Sequence, residues 1–299
     1  MTRILWTEKS NIGPGLRARH AMAHDSVRGQ TVLFGGADEN GTVLGDTWEW
    51  DGGNWTEMAN SGPDARMDIA MAFDAERKQT VLFGGELNQL PSVVFGDTWG
   101  WDGEDWTQLA DIGPGPRAGH AMAYDSQRKR VVLFGGATVA DTWEWDGEAW
   151  TQQADTGPPP RLFHAMAFDS NRGRTVLFGG RDSADVNLTF GDTWEWDGTV
   201  WKQVADFGVP PCEEPAMAFK NDSVALFGGI ILVDPRAVFG NTWTWDGKHW
   251  TLRQDIGPGP RSQHAMAFDS KRGRLVLFGG HTGTNFEVTL GDTWEHSEG

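Results

Sequence analysis

A short segment recurs six times along the 299 residues and carries reactive side chains at fixed offsets. Arg17, Arg66, Arg117, Arg161 and Arg261 close Gly/Pro-rich stretches that read Gly-Pro-Gly-Pro-Arg in their fullest form. Three residues on stand His20, His120, His164 and His264, with Ile69 and Pro215 in the other two copies. Cys212 takes the place of the sixth arginine. Planar guanidinium groups suit bidentate capture of a carboxylate, and they equally suit tying one repeat to the next through backbone carbonyls. Four imidazoles around one axis are donors a metal ion accepts. Alternation along a strand instead places His20 on the same face as Met22, between packed repeats.

A single ligand on a pseudo-symmetric scaffold needs residues that differ between copies. One such set lies between the arginine and the histidine: Arg19, Asp68, Gly119, Phe163, Glu214 and Gln263. Another follows a double glycine: Ala37, Glu86, Ala137, Arg181, Ile230 and His281. Both read as a pocket lining. Asp68 and Glu214 are the candidate acid or base residues, and facing arginines would hold them ionised, which suits a base. The fifth copy departs most, with Cys212-Glu213-Glu214-Pro215 and an apolar run, Ile230-Ile231-Leu232-Val233, that reads as a ligand wall or a partner-binding patch.

The elements that position these residues follow from the repeat itself. Its double glycines stand at Gly35/Gly36, Gly84/Gly85, Gly135/Gly136, Gly179/Gly180, Gly228/Gly229 and Gly279/Gly280, in steps of 49, 51, 44, 49 and 51 residues. Each copy holds four short strands, in the first Ala21-Met22-Ala23 (A), Thr31–Phe34 (B), Thr47–Trp50 (C) and Trp55-Thr56-Glu57 (D). A polar turn with Asp25 and Arg28 joins A to B, and Asp51-Gly52 makes the C-to-D hairpin turn. The last copy ends at strand C, so Trp6-Thr7-Glu8 supplies its missing strand D and closes the ring. All 17 tryptophans fall in strands C and D or in this closing strand, as core packing between copies.

Six copies of a double glycine followed by two spaced aromatics resemble the kelch-repeat family, over nearly the whole chain and at its spacing of roughly 50 residues. The expectation is an all-β, six-bladed kelch-type β-propeller, a single domain over 1–299, with blade 6 closed by the N-terminal strand. Trp50, Trp101, Trp145, Trp196 and Trp245 stand where kelch repeats more often have Tyr. In such a meander the A-to-B and C-to-D turns share one rim, here monotonous and structural. The B-to-C and D-to-A loops share the other, which varies, from Glu86–Gly96 down to Ala137–Ala140, and should carry function and leave a notch at blade 3.

The resemblance implies an anion-binding mouth at the five arginines, as in kelch adaptor proteins that contact acidic peptides. Similar propellers also include enzymes, among them sialic acid mutarotases, iron-dependent specifier proteins and copper radical oxidases. The last needs a tyrosine beside copper, and the only one here, Tyr124, occupies a strand A position filled by Phe in four other blades. The expected function is binding of an anionic or partly apolar small molecule, or an acidic peptide, in the central mouth. The expected ligand contacts are Arg17, Arg19, Arg66, Glu86, Arg117, Arg161, Phe163, Arg181, Ile230, Arg261, Gln263 and His281. The alternatives are an isomerase, lyase or cyclase acting through Asp68 and Glu214, and a protein-interaction scaffold. No cofactor is expected; a metal ion on His20, His120, His164 and His264 is the alternative.

Composition narrows the partners. A formal net charge of −17 opposes phosphate-rich ligands, which excludes nucleic acid and disfavours anionic membranes. No run of 18 apolar residues is present. One cysteine precludes an intrachain disulfide, and the first ten residues carry no apolar export core, so a cytoplasmic location is expected.

Overall fold

The computed structural model describes residues 4–10, 12–59, 61–87, 91–136, 138–231, 236–253 and 257–298, of which 4, 5, 297 and 298 by backbone only. Six four-stranded antiparallel sheets are the blades of a β-propeller. Blade 1 runs Ala21–Asp25, Gln30–Phe34, Thr47–Trp50 and Trp55–Ala59. Blade 6 consists of Ala265–Asp269, Arg274–Thr282, Val288–Glu298 and, on its outer edge, Ile4–Ser10. Trp6 stands opposite His296, so the first strand closes the ring. The expected strands are present: in blade 1 strand C keeps its expected bounds and strands A, B and D run one or two residues longer, while the closing strand extends to Ile4–Ser10.

Strand alternation builds the seams between blades. Alternate residues of each strand B turn to opposite neighbours; Val32 and Phe34 pack with Met71 and Trp101 of blade 2, and Leu33 faces blade 6. Each strand D tryptophan donates its indole N–H to the strand C threonine of the preceding blade, from Trp106 to Thr47 (2.8 Å) through to Trp6 on Thr242 (3.2 Å). The double glycines explain themselves at the same seam. Gly35 and Gly36 have φ of 66° and 95°, and a Cβ on Gly35 would lie 2.5 Å from the Arg66 carbonyl oxygen. Only glycine lets the next blade approach so closely, and the Gly36 N–H donates to that same carbonyl (3.0 Å).

The monotonous rim is a lattice of charge. Asp25 accepts from the backbone of Val27 and Arg28, and Arg28 bridges Asp25 and Glu49, whose carboxylate also receives the Trp101 indole N–H (2.8 Å). The C-to-D connection differs from a two-residue turn. Four residues separate Trp50 from Trp55, and Asp51 caps them by accepting from Gly53 and Asn54. Blade 2 has Gly100 where blades 1, 3, 4 and 6 have Glu, and accordingly the Trp145 indole N–H has no partner. Gly100→Glu meets only the tips of Gln79 and Leu109, at 2.8 and 3.0 Å from a new Cβ. The substitution should therefore raise stability by about 1–2 kcal/mol, read as a higher urea midpoint, by completing the Arg77 and Trp145 contacts.

Candidate functional site

The arginines do not line a mouth. Arg17, Arg66, Arg117, Arg161 and Arg261 are all at most 3% exposed. Each guanidinium is held within its own blade by the aspartate that precedes strand C and by a double-glycine carbonyl. Arg161, for example, donates to Asp192 Oδ1 (2.7 Å), Asp192 Oδ2 (2.9 Å) and the Gly179 carbonyl (2.9 Å). The partner aspartates of the others are Asp46, Asp97, Asp141 and Asp292. Burial opposes ionisation of these four carboxyls, yet the arginine hydrogen bonds outweigh it and hold them below the usual range. Blade 5 replaces both partners at once, with Cys212 for the arginine and Asn241 for the aspartate. Burial pushes the Cys212 thiol up to about 12, so it is not a nucleophile at neutral pH.

The histidines are packed into the seams between blades. His20, His120, His164 and His264 each pack edge-on against a phenylalanine of the preceding blade, with ring centroids 5.5–5.6 Å apart. Burial, helped by the adjacent arginine, holds them neutral, His120 and His264 down at about 3. They sit in four separate seams, and among the described residues no three His, Cys, Asp or Glu are grouped to hold a metal ion.

The residues that differ between blades are the ones brought together. Arg19, Asp68, Gly119, Phe163, Glu214 and Gln263 all have left-handed backbones, with φ between 54° and 68°. Five backbone hydrogen bonds of 2.8–3.0 Å run from blade to blade around this ring, from Arg19 N–H on Gln263 through to Glu214 N–H on Phe163. A left-handed backbone costs a non-glycine residue about 1 kcal/mol, and five non-glycine residues held so mark a tightly constrained position. The ring encircles the axis, and its side chains, together with His20, His120, His164 and His264 at their seam ends, line a central cavity of about 140 Å³.

Above the ring a cleft of about 360 Å³ opens on the variable rim. Arg19, Phe163, Glu214 and Gln263 form its floor, with Arg181, Val186, Asn187, Glu213, Arg236 and Phe286 as walls. Blades 4, 5, 6 and 1 supply every one of these, and blade 3, where a notch is expected, supplies none. Arg19 is clamped on both oxygens of Asp68 and reaches Glu86 at 3.1 Å. Asp68 is thus committed to Arg19. Glu214 accepts from Gln263 Nε2 (2.7 Å), and its other oxygen, Oε2, is buried beside the Ser262 hydroxyl with no well-formed hydrogen bond. Here the expected direction is reversed: Glu214 faces glutamine rather than arginine, and burial raises its carboxyl to about 7. Glu213, 2% exposed, is raised to about 8 by burial and by Glu214, against the pull of Arg181.

Of the residues after the double glycines, Arg181 joins the cleft and His281 packs against Phe286 in a tilted pair (centroids 5.4 Å apart). Glu86 serves Arg19. Ile230 is not a ligand wall: it is fully buried, its backbone paired with Glu213 in both directions (3.1 and 2.9 Å). Ile231 is half-buried, and Leu232 and Val233, like Ala137, lie outside the described residues. The apolar run therefore gives no described patch for a partner protein. Glu213 is the principal residue not singled out beforehand. Its signal was available: the other five repeats have Ala18, Met67, Ala118, Leu162 and Ser262 there, so a charge in that place is anomalous.

Twenty-four blade strands in a closed ring of six four-stranded sheets make this a six-bladed β-propeller. Its fold is that of the solved structure titled "Structure of YjhT", with a TM-score of 0.75 and 15% identity over 94% of this chain and 95% of that one. At such identity the likeness shows the fold alone. No protein-family model matches the chain, and no curated protein is similar to it in sequence. Among the described residues no helix is long and apolar enough to cross a membrane.

Proposed function

We propose that this propeller binds an acidic, partly apolar small molecule in the rim cleft. The observation that carries this reading is the convergence of the blade-specific residues on one cleft, while the repeated arginines are consumed by the scaffold. A cleft of about 360 Å³ lies at the low end of small-molecule sites, roughly 300–1,000 Å³, and is small for a peptide. Its lining combines apolar faces, Phe163, Val186 and Phe286, with Arg181 and Arg236 for an anion and Gln263 for a neutral polar group.

A second reading rests on Glu214. A carboxyl near neutrality with one oxygen held by Gln263 and the other without a well-formed hydrogen bond suits proton transfer, as in an isomerase acting on a sugar acid. One experiment separates the two. Proton NMR of glucuronate with the protein should show saturation transfer that falls five- to tenfold in Phe163→Ala, which loses an aromatic face worth about 1 kcal/mol. Faster exchange between its anomers, lost in Glu214→Gln, would establish catalysis. Absence of binding by glucuronate and by a panel of other small carboxylates would overturn the small-acid reading.

A further inference from the structure

Arg181 and Glu213 face each other in the cleft wall, yet do not satisfy one another. Their nearest atoms, Nε and Oε2, are 3.4 Å apart, and both are buried without a hydrogen-bond partner. The Arg181 guanidinium also lies over the Phe163 ring at 5.1 Å, which orients it as a plate against the cleft floor. No other acidic side chain pairs with it among the described residues. Every fully buried arginine of the scaffold, by contrast, holds a bidentate aspartate. Arg181 is built as a cation, and its charge is left open on the cleft side.

We propose that Arg181 seats a carboxylate of the cleft's ligand, and that Glu213 is the positioning residue behind it, holding a proton while the ligand is bound. This rests on the small-molecule reading of the cleft. A second carboxylate at Arg181 removes the one cation that favours ionised Glu213; Glu214 beside it and Asp68 across the ring already oppose its charge. Arg19 is committed to Asp68 and Glu86, Arg236 stands on the outer wall, and the neighbouring Cys212 is a neutral thiol. Two carboxylates against one guanidinium in a buried wall are kept by neutralising one of them, here Glu213. Above about pH 8, capture of an acid should therefore draw a proton from solution, and alkaline conditions should release the ligand.

The test is the pH dependence of binding, measured by calorimetry from pH 6 to 10 with acetate, benzoate and glucuronate, and with glucose as the neutral counterpart of glucuronate. Affinity for the carboxylates should be level at low pH and fall up to tenfold per pH unit above about pH 8, with proton uptake approaching one per site. Glu213→Gln, neutral at every pH, should retain the low-pH affinity and flatten the profile. Arg181→Gln should weaken the carboxylates at least tenfold and leave glucose unaffected. Carboxylates that bind with a flat profile in the unmodified protein would overturn the proton coupling and leave the cleft reading intact. Glucose binding as well as glucuronate, or Arg181→Gln without effect, would overturn the subsite. No binding by any of the four would instead count against the cleft itself.

Discussion

Replacing Arg161 with Ala should lower the unfolding free energy by about 3–5 kcal/mol, the cost of stranding one partner of a buried ion pair. Arg161 is completely buried, donates to Asp192 and to the Gly179 and Pro159 carbonyls, and stacks on Phe190 at 4.0 Å. Its loss leaves Asp192 with only the Trp194 indole N–H (2.6 Å) for compensation. Urea unfolding followed by tryptophan fluorescence reads the effect directly. The chain contains its own control, because blade 5 closes the same corner with Cys212 and Asn241. The double variant Arg161→Cys/Asp192→Asn should therefore cost less than the sum of its single changes, with a coupling of at least about 1 kcal/mol. Strict additivity would mean that the pair does not act as a unit, and the arginines would again be candidates for ligand contact.

That pairing shows which parts of the molecule the sequence makes legible. The double glycine, the strand C and D tryptophans and the leading Trp6 state the blade, its seam and its closure, because these contacts repeat and leave a period in the chain. The fate of Arg17, Arg66, Arg117, Arg161 and Arg261 was also written there. An Asp precedes Thr-Trp in five repeats and becomes Asn241 in the one repeat that lacks the arginine. A cation and an anion that disappear together belong to each other rather than to a ligand. Reading each column of the repeat by itself misses this. The ring of Arg19, Asp68, Gly119, Phe163, Glu214 and Gln263 stood out because its members vary, and variation at a fixed backbone position is what a single site on a symmetric frame requires. The left-handed backbone of that ring, and the burial that reverses the expected direction of Glu214, had no such signal. Both depend on how closely six loops crowd the axis.

Glu213 and Glu214 should also set how stability depends on pH. In the unfolded chain each titrates at its ordinary value of 4.5, whereas folding raises them to about 8 and about 7. Between those limits the folded state binds more protons than the unfolded state, so stability falls as pH rises from about 4.5 to 8. The seam histidines act in the opposite direction and over a different range. His20, His120, His164 and His264 are held neutral, two of them down at about 3, so their contribution is present above 6.5 and lost as pH falls below it. Comparison with a Glu213→Gln/Glu214→Gln variant removes the first effect and leaves the second. Urea midpoints of the two proteins should run parallel below pH 4.5 and diverge above it. By pH 9 the variant should have gained on the order of 3 kcal/mol over the unmodified protein, a fraction of the charge-burial cost the two shifts together represent, because water and relaxation screen part of it. A constant difference across pH would mean that both carboxylates ionise freely in the folded protein. Divergence would show that the cleft keeps two acids neutral near physiological pH at a cost in alkaline stability, a cost that a site selected for packing alone would have removed by substituting Ala, Met, Leu or Ser for Glu213, as the other blades have done.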